Sequence, residues 1–150
     1  MRKTLWLKIG LAVAGLLAIA GLIGYFTIFH YQKTKVCFND FCWQAEVAKN
    51  KFIIAKGLMF RQNLAENQAM LFIMPYEGRH VFWMRNTLIP LDIIWLNKDK
   101  KVVDIVKDAQ PCQSEKCASY RNQSPAKYVL EINAGLSEKI NLDIGSELKF

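Results

Sequence analysis

Residues 81–95, VFWMRNTLIPLDIIW, decide the fold. Val81, Trp83 and Arg85 alternate with Phe82, Met84 and Asn86, and period-two alternation points to β structure. Pro90 has no N–H for a ladder, so one strand ends before it and another begins after it. Leu91, Ile93 and Trp95 then alternate with Asp92, Ile94 and Leu96. The stretch reads as two core strands meeting at a corner.

Asp92 is the anomaly, a carboxylate on the same side as Ile94 and Leu96. An unpaired buried charge costs several kcal/mol, so it needs donors. Arg61, Arg85 and the amide of Asn86 are the candidate partners. The bond either pins the corner structurally or marks a polar site at the mouth of a β core.

Outward from there, Phe41 to Ala48 reads as a strand, and Asn50 as the cap of a short helix over residues 51–60. That helix would turn Phe52, Ala55, Leu58 and Met59 inward. MLFIM (70–74) reads as a buried strand stopped by Pro75. Residues 91–96 and 101–106 form a hairpin across Asn97-Lys98-Asp99-Lys100. Residues 108–124 form a long loop, YVLEIN (128–133) another strand, and Ser137 a cap for a short helix. Residues 146–150 would be the last strand. No βαβ rhythm is visible, so the class is mainly β, a compact β-barrel or sandwich with one or two short helices.

The N-terminal side differs in composition. Residues 9–29, IGLAVAGLLAIAGLIGYFTIF, carry no charge. About 20 apolar residues cross a hydrocarbon core of about 30 Å. Arg2, Lys3 and Lys8 precede the run, and Lys33 and Lys35 follow it. The balance favours N-in, C-out in a cytoplasmic membrane. The domain plan is therefore a cytoplasmic N-terminus (1–8), a transmembrane signal-anchor (9–29), a juxtamembrane connection (30–42) and a β domain (43–150) facing the periplasm or exterior. Secretion after signal cleavage is the alternative.

The net charge of +7 does not mark a nucleic-acid binder. From Val36 onward 15 basic and 13 acidic side chains leave +2, without a basic, aromatic-interleaved patch, and no nucleic-acid partner is expected. Cys37, Cys42, Cys112 and Cys117 form two C-x4-C pairs. Disulfides persist in oxidising compartments. Three connectivities are possible, and local pairing is the preferred one. Zinc favours C-x2-C or added histidines, and only His30 and His80 are present. No metal or cofactor is expected; Met59, Met70, Met74 and Met84 read as packing. A Ser–His or Cys–His pair would have to use His80. Asp92 with Asp104 or Glu131 is a conceivable carboxylate pair.

Several blocks together resemble the DUF192 family. They are Gly57-Leu58-Met59-Phe60-Arg61, Met70-Leu71-Phe72, Trp83-Met84-Arg85-Asn86-Thr87 leading to Pro90-Leu91-Asp92, Pro111-Cys112, and Val129-Leu130-Glu131 with Ala134-Gly135. The resemblance covers residues 43–150. It implies a small mainly-β prokaryotic domain, often exported or anchored, with no established activity. Ala69 stands where the family usually has glycine, and Arg85 where lysine is commoner. Arg61, Trp83, Asn86 and Asp92 are then either a shared site or the family's structural signature. With Arg85 they are the candidate binding residues. The expected function is an anchored envelope module that binds a ligand or protein. An unrecognised envelope hydrolase, with Asp92 as acid or base and Arg61 as anion clamp, is the alternative.

Overall fold

The computed structural model describes residues 2–28 and 31–150, with side chains described at 10, 11, 13–24 and 31–150. The chain divides into two units between residues 30 and 31. The first is a helix, α1 (Arg2–Ile28). Among the described residues no helix is long and apolar enough to cross a membrane. The span expected over 9–29 runs into side chains outside the described residues, and Phe29 and His30 lie outside them altogether.

The second unit is a six-stranded sheet in the order β1 (Gln32–Phe38), β2 (Phe41–Ala48), β3 (Gln68–Gly78), β8 (Ala126–Asn133), β5 (Leu91–Leu96) and β6 (Val102–Ala109). β4 (Val81–Trp83) and β7 (Ser119–Arg121) pair separately. Two short helices, α2 (Lys51–Lys56) and α3 (Leu136–Lys139), complete it.

Mainly β holds, but the expected barrel or sandwich does not: the sheet is open, with β1 and β6 at its edges. The C-terminal tail partly bridges those edges. Lys149 exchanges two backbone hydrogen bonds with Cys37, and Leu148 N–H donates to Lys100 O. The segment read as a last strand thus makes isolated bridges at Glu147 and Lys149. β1 occupies residues read as a connection and pairs along its whole length with β2.

A β–α–β unit is also present, because β2 and β3 are parallel. Parallel neighbours need a crossover of about a dozen residues or more, and α2 lies in it. Asn50 caps α2 as expected, its Oδ1 accepting from Phe52 N (3.0 Å) and Ile53 N (2.9 Å). The helix stops at Lys56, not Phe60, because Gly57 turns the chain at φ +47°. It buries Ile53, while Phe52, expected inside, is exposed.

Pro75 does not end β3. The register with β8 shifts between Ile73 and Gly78, so the proline sits where the regular ladder is interrupted. The other strand of the quoted stretch is shorter than expected, ending at Trp83. Asn86, at φ +56°, turns the backbone out of extended geometry.

β5 is buried at every position, so both sheet faces are covered. On one face Ile94, Leu96, Leu130 and Ile132 pack with Trp43, Leu71, Leu142 and Leu148. On the other, Phe82 of β4 meets Phe72 (5.0 Å between ring centroids) and Trp95 (6.1 Å) edge-on. Burying each such large side chain stabilises by about 1.5–3 kcal/mol. This second face, roofed by α2 and β4, is where a cavity opens.

Candidate functional site

Asp92 lies on the first face, fully buried. Its Oδ1 accepts from Asp108 N (2.9 Å) and Gly135 N (3.1 Å), and its Oδ2 from Ser137 N (3.0 Å) and Ser137 Oγ (2.7 Å). None of these donors is Arg61, Arg85 or Asn86. The carboxylate ties β5 to the end of β6 and to the first turn of α3. Ser137 is therefore not the cap; Gly135 begins that helix, and Asp92 supplies the acceptor that Gly135 lacks. Four donors at its two oxygens hold Asp92 as a structural pin. The acid-and-clamp arrangement expected for the hydrolase alternative does not form.

Arg61 is committed elsewhere, its Nη2 donating to Glu46 Oε2 at 2.7 Å. The guanidinium of Arg85 stacks over Trp83, 5.7 Å from the ring centroid. Asn86 works through its backbone: Asn86 N donates to Cys112 O (2.8 Å), and Asn86 O accepts from Phe60 N (2.7 Å). It fastens the turn after α2 to the loop holding the second cysteine pair. His80 is pinned as well, its Nε2 3.1 Å from both Tyr76 O and Ala126 O. The cysteines are bonded as Cys37–Cys42 and Cys112–Cys117, and none is free. A Cys–His nucleophile pair therefore does not form. Among the described residues no group of three or more His, Cys, Asp or Glu side chains is placed to hold a metal ion.

The cavity lies between the second sheet face and its roof, with a volume of about 210 Å³. Residues 54–59 form one wall, Phe72 and Met74 of β3 the floor, and β4 with Thr87 the other wall. Trp83 is half-exposed at its edge, and of the five candidate binding residues it alone lines the space. Gly57 shapes the wall. A Cβ there would touch Phe72 Cζ at 3.4 Å, and its positive φ already disfavours other residues.

Glu131 also lines the cavity. It lies opposite Met70 on β3 and Ile93 on β5, both apolar and fully buried. The side chain is 5% exposed. No described residue hydrogen-bonds its carboxyl. Desolvation raises its pKa to about 8, so at neutral pH it is mostly protonated. A carboxylic acid without a protein partner, facing an apolar cavity, can donate to a ligand acceptor or ionise against a ligand cation. Asp92 and Glu131 do not pair, because Asp92 lies opposite Ile132, one residue along, and so faces the other side of the sheet.

In the sequence Glu131 stands out only as a conceivable carboxylate partner of Asp92, and Thr87 only within a longer block; neither reads as a ligand contact. The available signal was Glu131 alternating with Val129 and Asn133 in a strand flanked by apolar neighbours. A half-exposed strand would show the same pattern.

Comparison with known proteins fits this geometry to a family. The DUF192 family model, described as uncharacterized ACR, COG1430, matches residues 34–150. A UPF0127 protein of Thermococcus sibiricus is 33% identical over 110 residues, covering 70% of this chain and 64% of that protein, so the chain spans somewhat under two-thirds of that relative. A UPF0127 protein of Pyrococcus horikoshii is 32% identical over 119 residues, 75% of this chain and 93% of the relative. A crystal structure of a protein of unknown function from Novosphingobium aromaticivorans superposes with a TM-score of 0.72 at 32% identity, covering 80% of this chain and 85% of that one. A putative transcription regulator from Sinorhizobium meliloti gives 0.73 at 30% identity, covering 79% and 94%.

Proposed function

We propose a small-ligand-binding role, on the premise that the chain belongs to the DUF192 family. The β domain is an envelope module that takes a small, largely apolar ligand into the cavity over Glu131, Phe72 and Met74. The single observation that carries this reading is Glu131, a buried carboxyl with no partner among the described residues, facing a largely apolar space. A group purely for packing would be apolar here, and a structural carboxylate would be satisfied as Asp92 is. An engineered apolar cavity of about 150 Å³ holds benzene. The volume here suits a ring with a short polar substituent.

Anchoring through residues 9–29 belongs to the same proposal. Leu11, Leu16, Leu17, Ile19, Leu22 and Ile23 are each more than half exposed. An apolar surface running round a helix calls for a covering medium, and a bilayer is one. Two local disulfides favour an oxidising compartment for the β domain. Alkaline extraction of membranes tests anchoring: the full chain stays in the membrane pellet, whereas recovery of a chain shortened at its N-terminus, in the soluble fraction, overturns it.

The ligand site is tested on the full chain in detergent with its methionine methyls labelled by 13C. Titration with benzyl alcohol shifts Met59 and Met74 saturably and leaves Met84, buried outside the cavity lining, in place. Equal, non-saturating shifts at all three contradict the site.

A further inference from the structure

The ligand's polar end has a definite chemical class, an inference that rests on the binding role proposed above. Consider the charged groups on the elements packed around Glu131. On its own face, β3 and β5 present Met70 and Ile93 opposite it. Arg61, reached from β2 through Glu46, is held by that carboxylate. Arg85, after β4, stacks on Trp83. Lys56 of α2 lines the same cavity; the pKa of Glu131 is raised by burial, whereas a cation in contact with the carboxyl would lower it. Asp92, on adjacent β5, faces away and is satisfied by four donors.

Among the described residues none gives Glu131 a hydrogen bond or a counter-ion. Apart from Lys56, the surrounding surface is receptive to positive charge. Phe72, Phe82 and Trp83 contribute aromatic rings, whose faces attract cations, and Met59 and Met74 contribute polarizable thioethers. An anionic ligand would meet Glu131 only in its protonated form and gain one hydrogen bond, whereas a cation lets the carboxyl ionise and gains an ion pair. A neutral one would leave the carboxyl's capacity for charge unused.

We infer that the cavity recognises a small organic amine, its ammonium paired with the Glu131 carboxylate and its apolar body lying between Phe72, Phe82 and Met74. Binding moves one proton: Glu131 gives up its carboxyl proton to solvent as the ammonium docks, and no covalent bond to the ligand forms.

Three probes of one shape test this on the full chain in detergent: benzylamine, benzyl alcohol and benzoate. The readouts are the Met59 and Met74 methyl shifts and calorimetry at about pH 7 in two buffers of different ionisation enthalpy. Benzylamine should bind at least about tenfold more tightly than benzyl alcohol, a difference of about 1.4 kcal/mol, and release a proton; benzoate should bind weakest. Glu131→Gln should abolish the amine's advantage and the proton release while retaining benzyl alcohol. Benzyl alcohol binding as tightly as benzylamine overturns the amine assignment and leaves the ligand site standing. An amine advantage that persists in Glu131→Gln overturns the role of Glu131. Failure of all three probes to shift Met59 and Met74 overturns the site itself.

Discussion

Asp92 and Glu131 stand on neighbouring strands, yet their carboxyls leave on opposite faces of the sheet. Asp92 is met by four donors; Glu131 is met by a cavity. Two acids of similar intrinsic strength are therefore assigned different work by which side of a strand they occupy.

Removing Asp92 should be severe. Asp92→Ala leaves the N–H groups of Asp108, Gly135 and Ser137 without their acceptor and opens a hole beneath α3. A loss of about 3–5 kcal/mol is expected, read as a lower urea midpoint. A loss under about 1 kcal/mol would mean that Asp92 does not pin the corner.

Glu131 should make stability depend on pH. Its folded pKa, about 8, lies above the ordinary value of 4.5. The folded state therefore holds the proton more tightly than the unfolded chain. The associated stability is fully present below about pH 4.5, declines as pH rises, and is lost by about pH 8. The span is about 5 kcal/mol at most. Glu131→Gln should flatten the slope between pH 5 and pH 8 in denaturation series. An unchanged slope would show that Glu131 titrates normally.

Asn86 should prefer glycine over alanine. Its φ of +56° costs a Cβ-bearing residue about 1 kcal/mol, less for asparagine. Asn86→Ala should lose about 1 kcal/mol, and Asn86→Gly should match or exceed the parent. Equal losses in both would assign the effect to the amide side chain instead of the backbone.

The second disulfide should matter beyond its loop entropy. Cys112 O receives Asn86 N–H, and Cys112 N donates to Met84 O. Cys112→Ala with Cys117→Ala should cost about 2 kcal/mol and shift the methyl signal of Met84. A cost with no change at Met84 would confine the disulfide's effect to its own loop.

Much of this was readable in the residues. Alternation from Val81 to Leu96 announced strands, and Asp92 among aliphatics announced a buried carboxylate in need of donors. Asp92's partners were not readable, because they are mostly backbone amides 16 to 45 residues further along, and amides carry no sequence signature. Pro75 misled because a proline stops a regular ladder but not one whose register shifts there. The β2–β3 crossover was hidden because α2 is six residues long, too short for a helical period to stand out. Glu131 was hidden for another reason. Its partnerless state depends on Met70 and Ile93 lying beside it, which only strand order decides.

The most direct measurement is the benzyl alcohol titration of the labelled full chain. Saturable shifts at Met59 and Met74, with Met84 unmoved, are expected of a ligand cavity above Glu131. Unchanged Met59 and Met74 across benzyl alcohol, benzylamine and benzoate would contradict it, leaving the carboxyl a buried acid without a ligand.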